Sequence, residues 1–379
     1  MMRSATPNAL PLPFARVEVF TTLAPLEGRW RAFECEANAT LYQTYNWVGA
    51  WMETMGRRAY VTPFIVRASN ERDETTALLP LLLCTSGFIN KVMFAGAKDS
   101  NLNLGLFREP ALWDESAIRA LLMQATVMSP TRPDVFLLLN QPEIWRDQKN
   151  PLHVLCHSAS PSFAYGNMLA NSGEDFLNNN LSKERRKKLR HKESRLKNMG
   201  ELEMVRAGNG EKARVIITAC IAQKEKRFEF SPKRSEMLIQ FLERGFDQGA
   251  VEVYALYLNQ RIVATYIGGA HNGHFSIMMN SFEQDEQVAK SSPGELLLKE
   301  LVQHLCSLNL TSFDLGIGEA SYKQIYCKQT IPLFDVALPL NAKGHAFGAA
   351  FMKGLKLKHH IKSNPTLNAY AQKFLTLVR

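Results

Sequence analysis

Three short stretches between positions 290 and 323 carry residue types that can hold an anion and move a proton. The first is Lys290-Ser291-Ser292-Pro293-Gly294, which opens a segment of helical periodicity just after a strand-like run. A helix N-terminus presents unpaired N–H groups and a partial positive charge, so an anion such as a pyrophosphate is stabilised there. Gly294 would let the anion approach the backbone, while Lys290 and Ser291 would add a charge and a hydroxyl. The second stretch, Phe313-Asp314-Leu315-Gly316-Ile317-Gly318-Glu319, ends a strand in a glycine loop. A carboxylate placed there can orient an acceptor or take its proton if burial raises its pKa. Asp314 is the first candidate and Glu319 the second; a plain loop-capping or ion-pairing role for Asp314 weighs as much. The third is Tyr322-Lys323 on a short helix. Cys327 lies one turn further on, but no His and Asp set accompanies it, so a nucleophilic cysteine is not expected.

A fourth stretch is cationic. Residues 183–197 (KERRKKLRHKESRLK) hold nine Lys/Arg against two Glu. At 100° per residue, Lys183, Arg186, Arg190 and Lys197 fall within about 60° of one another. Leu181, Leu189 and Leu196 form an apolar seam on another side. One side can dock while the cations face an anionic partner, since guanidinium binds phosphate and carboxylate in bidentate fashion. Residues 343–379 hold seven more Lys/Arg and no acid, against a net charge of +9 for the whole chain, so everything else is net acidic. That apolar, basic tail either packs on the domains or lies on an anionic membrane surface. No nucleic-acid-binding motif with interleaved aromatics is present.

These residues need a scaffold, and 379 residues suit two domains better than one core. The first half reads as mixed α/β. A helix is expected over Tyr42–Met55, strands over Tyr60–Ala68, Thr76–Cys84, Val92–Ala95, Asn103–Phe107 and Asp134–Asn140, and a helix over Ser116–Met128. Its aromatics Tyr42, Tyr45, Trp47 and Trp51 read as core. Lys98-Asp99-Ser100-Asn101 lies between two strands, where it can face the space between domains. Pro142, Pro151 and the run Ser158–Ser162 mark the boundary. The second half reads as a strand (Glu203–Arg206), helices over Lys212–Phe228 and Lys233–Phe246, and three strands over Val251–Leu258, Arg261–Ala270 and His274–Asn280. A helix over Pro293–Leu308, a strand over Thr311–Leu315, a short helix near Ala320–Tyr326 and a last strand over Leu333–Leu338 complete it. Asn259-Gln260 and Asn272-Gly273 supply tight hairpin turns.

The second half is similar in order to the GNAT acetyltransferase fold. It resembles the GNAT-like domain of the bacterial cellulose-biosynthesis (CelD) type and, more remotely, the Fem aminoacyltransferases. Tyr42–Trp47 (YQTYNW), Leu181–Leu196, Ser292–Leu298 (SPGELLL) and Phe313–Lys323 (FDLGIGEASYK) carry the resemblance. It implies an α/β (α+β) fold of tandem GNAT-like domains, each a mixed central sheet flanked by helices. The first (1–160) would be structural and help form the acceptor cleft, because no glycine loop opens a helix there. The second (161–342) would be the transferase, followed by the basic tail.

The resemblance further implies acetyl-CoA or another acyl-CoA as co-substrate, with its pyrophosphate at 290–294, although the usual loop has more glycines. Tyr322 would protonate the leaving thiolate, Lys323 would support the oxyanion, and Lys183, Arg186 and Arg190 would hold an anionic part of the acceptor. The acceptor would be a small or sugar-linked amine or hydroxyl in polysaccharide or envelope biosynthesis. The alternatives are tRNA-dependent aminoacyl transfer of the Fem type and a non-catalytic accessory role in a polysaccharide-synthesis complex.

Six scattered cysteines form no Cys-x-x-Cys pair or zinc cluster, so reduced and mostly buried thiols and no metal are expected. No apolar run approaches the ~20 residues of a membrane span, and Pro7, Pro11 and Pro13 break up the start. A cytoplasmic protein is expected, peripheral at the inner membrane face if the tail binds there.

Overall fold

The computed structural model describes residues 11–364 apart from positions 86 and 229. The expectations on Pro7 and on the tail from 365 onward lie outside the described residues. The first half holds β1 (Arg16–Phe20), α1 (Glu27–Glu36), α2 (Tyr45–Glu53), β2 (Val61–Ser69), β3 (Thr75–Cys84), β4 (Lys91–Phe94), β5 (Leu106–Phe107), α3 (Glu115–Met128) and β6 (Val135–Pro142). A small hairpin of β7 (Ile144–Trp145) and β8 (Gln148–Lys149) follows, then β9 (His157–Ala159). The second half holds β10 (Ala164–Met168), α4 (Gly173–Asn180), α5 (Lys183–Lys197), β11 (Leu202–Arg206), α6 (Gly210–Glu225), α7 (Pro232–Asp247), β12 (Glu252–Leu258), β13 (Arg261–His271) and β14 (His274–Phe282). It ends with α8 (Glu286–Ala289), α9 (Pro293–Ser307), β15 (Ser312–Ile317), α10 (Ser321–Tyr326), β16 (Gln329–Ile331), β17 (Leu333–Pro339) and α11 (Ala342–Ser363).

Two mixed sheets result. The first runs β1-β2-β3-β4-β6-β17-β9, with β5 beside β3, and the second runs β11-β12-β13-β14-β15-β10-β16. Each is antiparallel except for one parallel pair, β4 with β6 and β14 with β15. The Asn259-Gln260 and Asn272-Gly273 turns have positive φ at both positions, the geometry that follows the right-handed twist of the strands. Local signals start the helices: Ser182 caps α5, Asn209 caps α6, and Ser231 caps α7 with Pro232 at its first position.

Two expectations need correction. The helix expected over Tyr42–Met55 is split, because Thr44 takes an extended backbone and its hydroxyl caps α2, leaving Leu41–Gln43 as a separate 3-10 turn. The last strand, read as part of the second half, pairs instead with β6 and β9 in the first sheet. The chain crosses back after β16, so residues 333–339 lie between β6 and β9 of the first sheet, while β16, only two residues earlier, stays in the second.

The halves share a core. Trp47 is fully buried and meets the Phe241 ring edge-on at 5.4 Å. Tyr42 and Trp51 are also buried, with Tyr45 half-exposed at the margin. Leu238, Leu242 and Val251 of the second half join the same cluster. Burying a large aromatic is worth several kcal/mol, so this contact fixes the two sheets relative to one another. Cys220, Cys306 and Cys327 are buried, whereas Cys35 and Cys156 are exposed, so the thiols are less uniformly buried than expected. No helix among the described residues is long and apolar enough to cross a membrane.

Candidate functional site

The parallel pair of the second sheet builds the site. Strands β14 and β15 pair only through His274↔Ser312, Phe275↔Phe313 and Ser276↔Asp314. Beyond that point β14 continues to Phe282 and β15 to Ile317 without pairing with each other. Gly316 and Gly318 take left-handed backbones at the end of β15 (φ 67° and 99°), a conformation glycine adopts without a Cβ clash. At Gly316 an added Cβ would lie 2.6 Å from the Asn101 side chain, so the loop of the first half presses directly against this turn.

Beside the parted strands lies a cleft of about 390 Å³. Its walls come from β13 and β14 (Tyr266, Asn280, Phe282), the start of α9 (Ser292, Gly294, Glu295), α10 (Ser321, Tyr322) and α5 (Arg185, Lys192). The volume falls within the range of small-molecule sites. The Tyr322 hydroxyl neighbours Tyr266 and Asn280, and burial raises its pKa, so it keeps its proton at neutral pH.

The five residues at 290–294 separate. Ser292 and Gly294 line the cleft. Ser292 has a strained left-handed backbone (φ 50°), and its Oγ accepts from Lys192 Nζ at 2.9 Å. Gly294 has ordinary helical backbone with room for a Cβ, 3.5 Å from Phe282. Pro293 is buried at the first helical position. Lys290 is turned outward and pairs with Glu286 at 2.8 Å. Ser291 is fully buried, and its Oγ finds no hydrogen-bond partner among the described residues. The expectation that Lys290 and Ser291 face an anion is therefore corrected: the helical turn at 286–290 directs one to solvent and the other to the core.

The cationic helix is corrected in the same way. Leu189 and Leu196 form the buried seam, and Leu181 is buried beside it. Arg186 does not line the cleft: it is half-buried, and its Nη1 donates to the carbonyls of Leu177, Asn178 and Leu181 (3.3, 3.1 and 2.9 Å), closing the end of α4. Lys183 and Arg190 are exposed on the outer face. The residues turned into the cleft are Arg185 and Lys192, which flank Leu189 at i−4 and i+3. Both bind the buried carboxylate of Glu295, Arg185 through Nε at 2.9 Å and Lys192 at 3.0 Å. The sequence carries a signal for this, two cations bracketing a seam leucine, but nothing local marks Glu295 in the first turn of α9 as their partner.

Asp314 is fully buried and does not line the cleft. It accepts from the Gly316 backbone N–H at 2.7 Å and lies 2.9 Å from His274 Nε2, whose Nδ1 lies 2.7 Å from the Ser312 hydroxyl. Trp145 packs edge-on over the His274 ring at 4.8 Å. Tyr42 stands near the carboxylate, and burial together with that negative charge holds its hydroxyl well above its usual pKa. Asp314 thus shapes the loop, the capping role that the sequence left open beside contact with an acceptor. Glu319 is exposed on the loop leading to α10.

Lys323 is buried, and its ammonium donates to the carbonyls of Gly316 (3.2 Å) and Ile317 (3.0 Å). Burial lowers its pKa to about 8, with Asp314 opposing. It ties α10 to the end of β15 and so sets Tyr322; it does not line the cleft, which corrects its expected place at an oxyanion. The polar run 98–101 meets the second half: Asp99 binds Arg234 of α7 at 2.8 Å, and the Asn101 side chain lies against Gly316.

Residues 183–324, from α5 into α10, match the family profile described as acetyltransferase (GNAT) domain. No curated protein matches the chain by sequence. Among solved structures, FemX superposes with a TM-score of 0.59 at 10% identity, covering 86% of this chain and 98% of its own. A conserved protein of unknown function from Bacteroides thetaiotaomicron gives 0.55 at 13% identity, covering 86% and 100%. The C-terminal domain of a putative lysylphosphatidylglycerol synthetase from Agrobacterium fabrum gives 0.52 at 12%, covering 87% and 96%. At such identities the likeness is one of fold. The chain has the mixed α/β architecture of tandem GNAT-like domains.

Proposed function

We propose that the chain is an acyltransferase that takes an acyl group from acyl-CoA in the cleft of the second sheet and passes it to an amine or hydroxyl. The observation that carries this reading is the parting of β14 and β15 beside the start of α9. A thioester donor can lie along the unpaired edge of β14, with its phosphates toward the N–H groups of α9 and the Arg185–Lys192 pair. The acceptor attacks the thioester carbonyl, a tetrahedral adduct forms, and the C–S bond breaks. Tyr322 gives its proton to the leaving thiolate, and the acceptor's proton leaves to Glu319 or water. A thiol is acidic enough that this help is worth only a modest factor. Asp314, His274 and Lys323 hold the geometry. The internal carboxylate Glu295 weakens the cation pair as a phosphate site and so tunes donor affinity downward.

The resemblance to the cellulose-biosynthesis type and the likeness to FemX and lysylphosphatidylglycerol synthetase support an acceptor in polysaccharide or envelope chemistry. A second reading, aminoacyl transfer from tRNA, draws support from the exposed cations of α5, Lys183, Lys187, Lys188, Arg190 and Arg195. Thermal unfolding with acetyl-CoA, longer acyl-CoAs and free CoA tests the first. Ligand at ~100 times its Kd adds ~2.7 kcal/mol and raises the midpoint by several degrees. Gly294→Asp fits the helix without strain and should remove the shift. No shift with any acyl-CoA, and a salt-sensitive shift with charged tRNA, would move the assignment to the second reading.

A further inference from the structure

The first sheet repeats the parting of strands. Its parallel pair runs from Lys91↔Val135 to Met93↔Leu137, after which β4 ends at Phe94 and β6 continues to Pro142. A pocket of about 390 Å³ opens there, the same volume as the cleft of the second sheet. Its chemistry is different. Trp51, Leu82, Met93, Leu137 and Leu139 give it apolar walls, where the other cleft has tyrosine hydroxyls, an amide and an Arg–Glu–Lys cluster.

The rim is cationic. Lys98 is exposed with no hydrogen-bond or ion-pair partner among the described residues. Arg58 is exposed, and its guanidinium donates only to Tyr60 Oη, at 3.0 Å, among the described residues. The rim's carboxylate, Asp99, is already bound by Arg234 at 2.8 Å and by Trp51 Nε1 at 3.1 Å. Two positive charges therefore remain at the mouth of an apolar recess.

From this pairing we infer that the first unit is a ligand site for an amphipathic anion: an unbranched apolar chain in the pocket, with a carboxylate or phosphate head between Lys98 and Arg58. Protein interiors are packed without large voids, so an apolar recess of this size left facing water is a cost that an apolar ligand relieves. The site is independent of the donor cleft. It goes beyond the purely supporting role expected for this half.

Calorimetric titration of the full chain tests it with decanoate, decyl phosphate, hexanoate, decanol and decyltrimethylammonium. Decanoate or decyl phosphate should bind one per chain, and the tighter of the two identifies the head group. Hexanoate should bind at least tenfold more weakly, because four methylenes leave the pocket. Lys98→Glu should weaken decanoate about tenfold and leave decanol unchanged. Leu139→Trp should fill the pocket and abolish binding of either chain. Val61→Phe, on another wall, serves if Leu139→Trp does not fold. Acetyl-CoA binding should be the same in these variants, and Gly294→Asp should leave decanoate binding unchanged, which separates this site from the donor cleft. No binding of either anion to the wild type, binding undiminished in the folded pocket-filling variants, or equal binding of decyltrimethylammonium would overturn the inference.

Discussion

Replacing Lys323 by Met should change how stability depends on pH, and the size of the change follows from where the lysine sits. The residue is 7% exposed, and its ammonium faces the carbonyls of Gly316 and Ile317. Burial lowers its pKa from the ordinary 10.5 to about 8. The unfolded chain therefore keeps this proton up to about pH 10.5, whereas the folded chain sheds it near 8. Between those values the unfolded state binds more protons, so stability rises with pH. The burden of the buried charge is fully present below pH 8 and is relieved by pH 10.5; it amounts to about 3 kcal/mol. The methionine variant loses two hydrogen bonds, from a charged donor at pH 7.5 (about 1.5–3 kcal/mol each) and from a neutral amine at pH 10.5 (about 0.5–1.5 kcal/mol each), and sheds that burden. At pH 7.5 the two effects offset one another to within a few kcal/mol. At pH 10.5 only the loss remains. Urea unfolding of both proteins at pH 7.5, 9 and 10.5 should show the wild type gaining about 3 kcal/mol over Lys323→Met, with other titrations cancelling in the difference. A difference that stays flat within about 1 kcal/mol would show that Lys323 is solvated. A difference of opposite sign would show that folding strengthens its hold on the proton. Either result would refute its role as the buried tie between α10 and β15.

Other perturbations separate the supporting residues from those that meet ligand. Asp314→Ala should cost about 2–3 kcal/mol in urea unfolding, since it leaves the buried Gly316 N–H and the His274 ring without their partner; a neutral result would mean the carboxylate is not buried among them. Glu295→Gln should tighten CoA binding about tenfold and steepen its salt dependence in calorimetry, because Arg185 and Lys192 lose their internal anion. Weaker binding would place the donor phosphates elsewhere. Arg186→Ala should lower stability by about 1–2 kcal/mol through the end of α4 and leave CoA affinity unchanged; a large loss of affinity would restore Arg186 as a ligand residue.

The helical and strand segments were largely legible because their periods and turn residues are local properties. Asn272-Gly273 turns the chain wherever it occurs, and the Leu189–Leu196 seam specifies which side of α5 is buried. The partner of β17 was not legible, because an apolar strand pairs equally well with either sheet and only the crossover after β16 decides. The helical wheel found a cluster of cations but selected its outer face. Which cations turn inward depends on Glu295, a hundred residues away and visible only once α5 and α9 pack together. The glycine loop leaves two readings open for Asp314, and the structure shows the loop-capping one, because the sequence does not show that Tyr42 stands beside the carboxylate and Trp145 covers its partner His274. The pocket of the first sheet is not legible for a related reason: Leu82, Met93 and Leu137 read as ordinary core, and no sequence pattern marks where two parallel strands part.

Hydrogen exchange with and without saturating acetyl-CoA tests the central claim most directly. A donor in the second cleft should slow exchange at the amides of 277–282 and 292–296 and leave 91–99 unchanged, because only the first two segments line that cleft. Protection confined to 91–99, or no protection anywhere at saturating acetyl-CoA, would contradict the account.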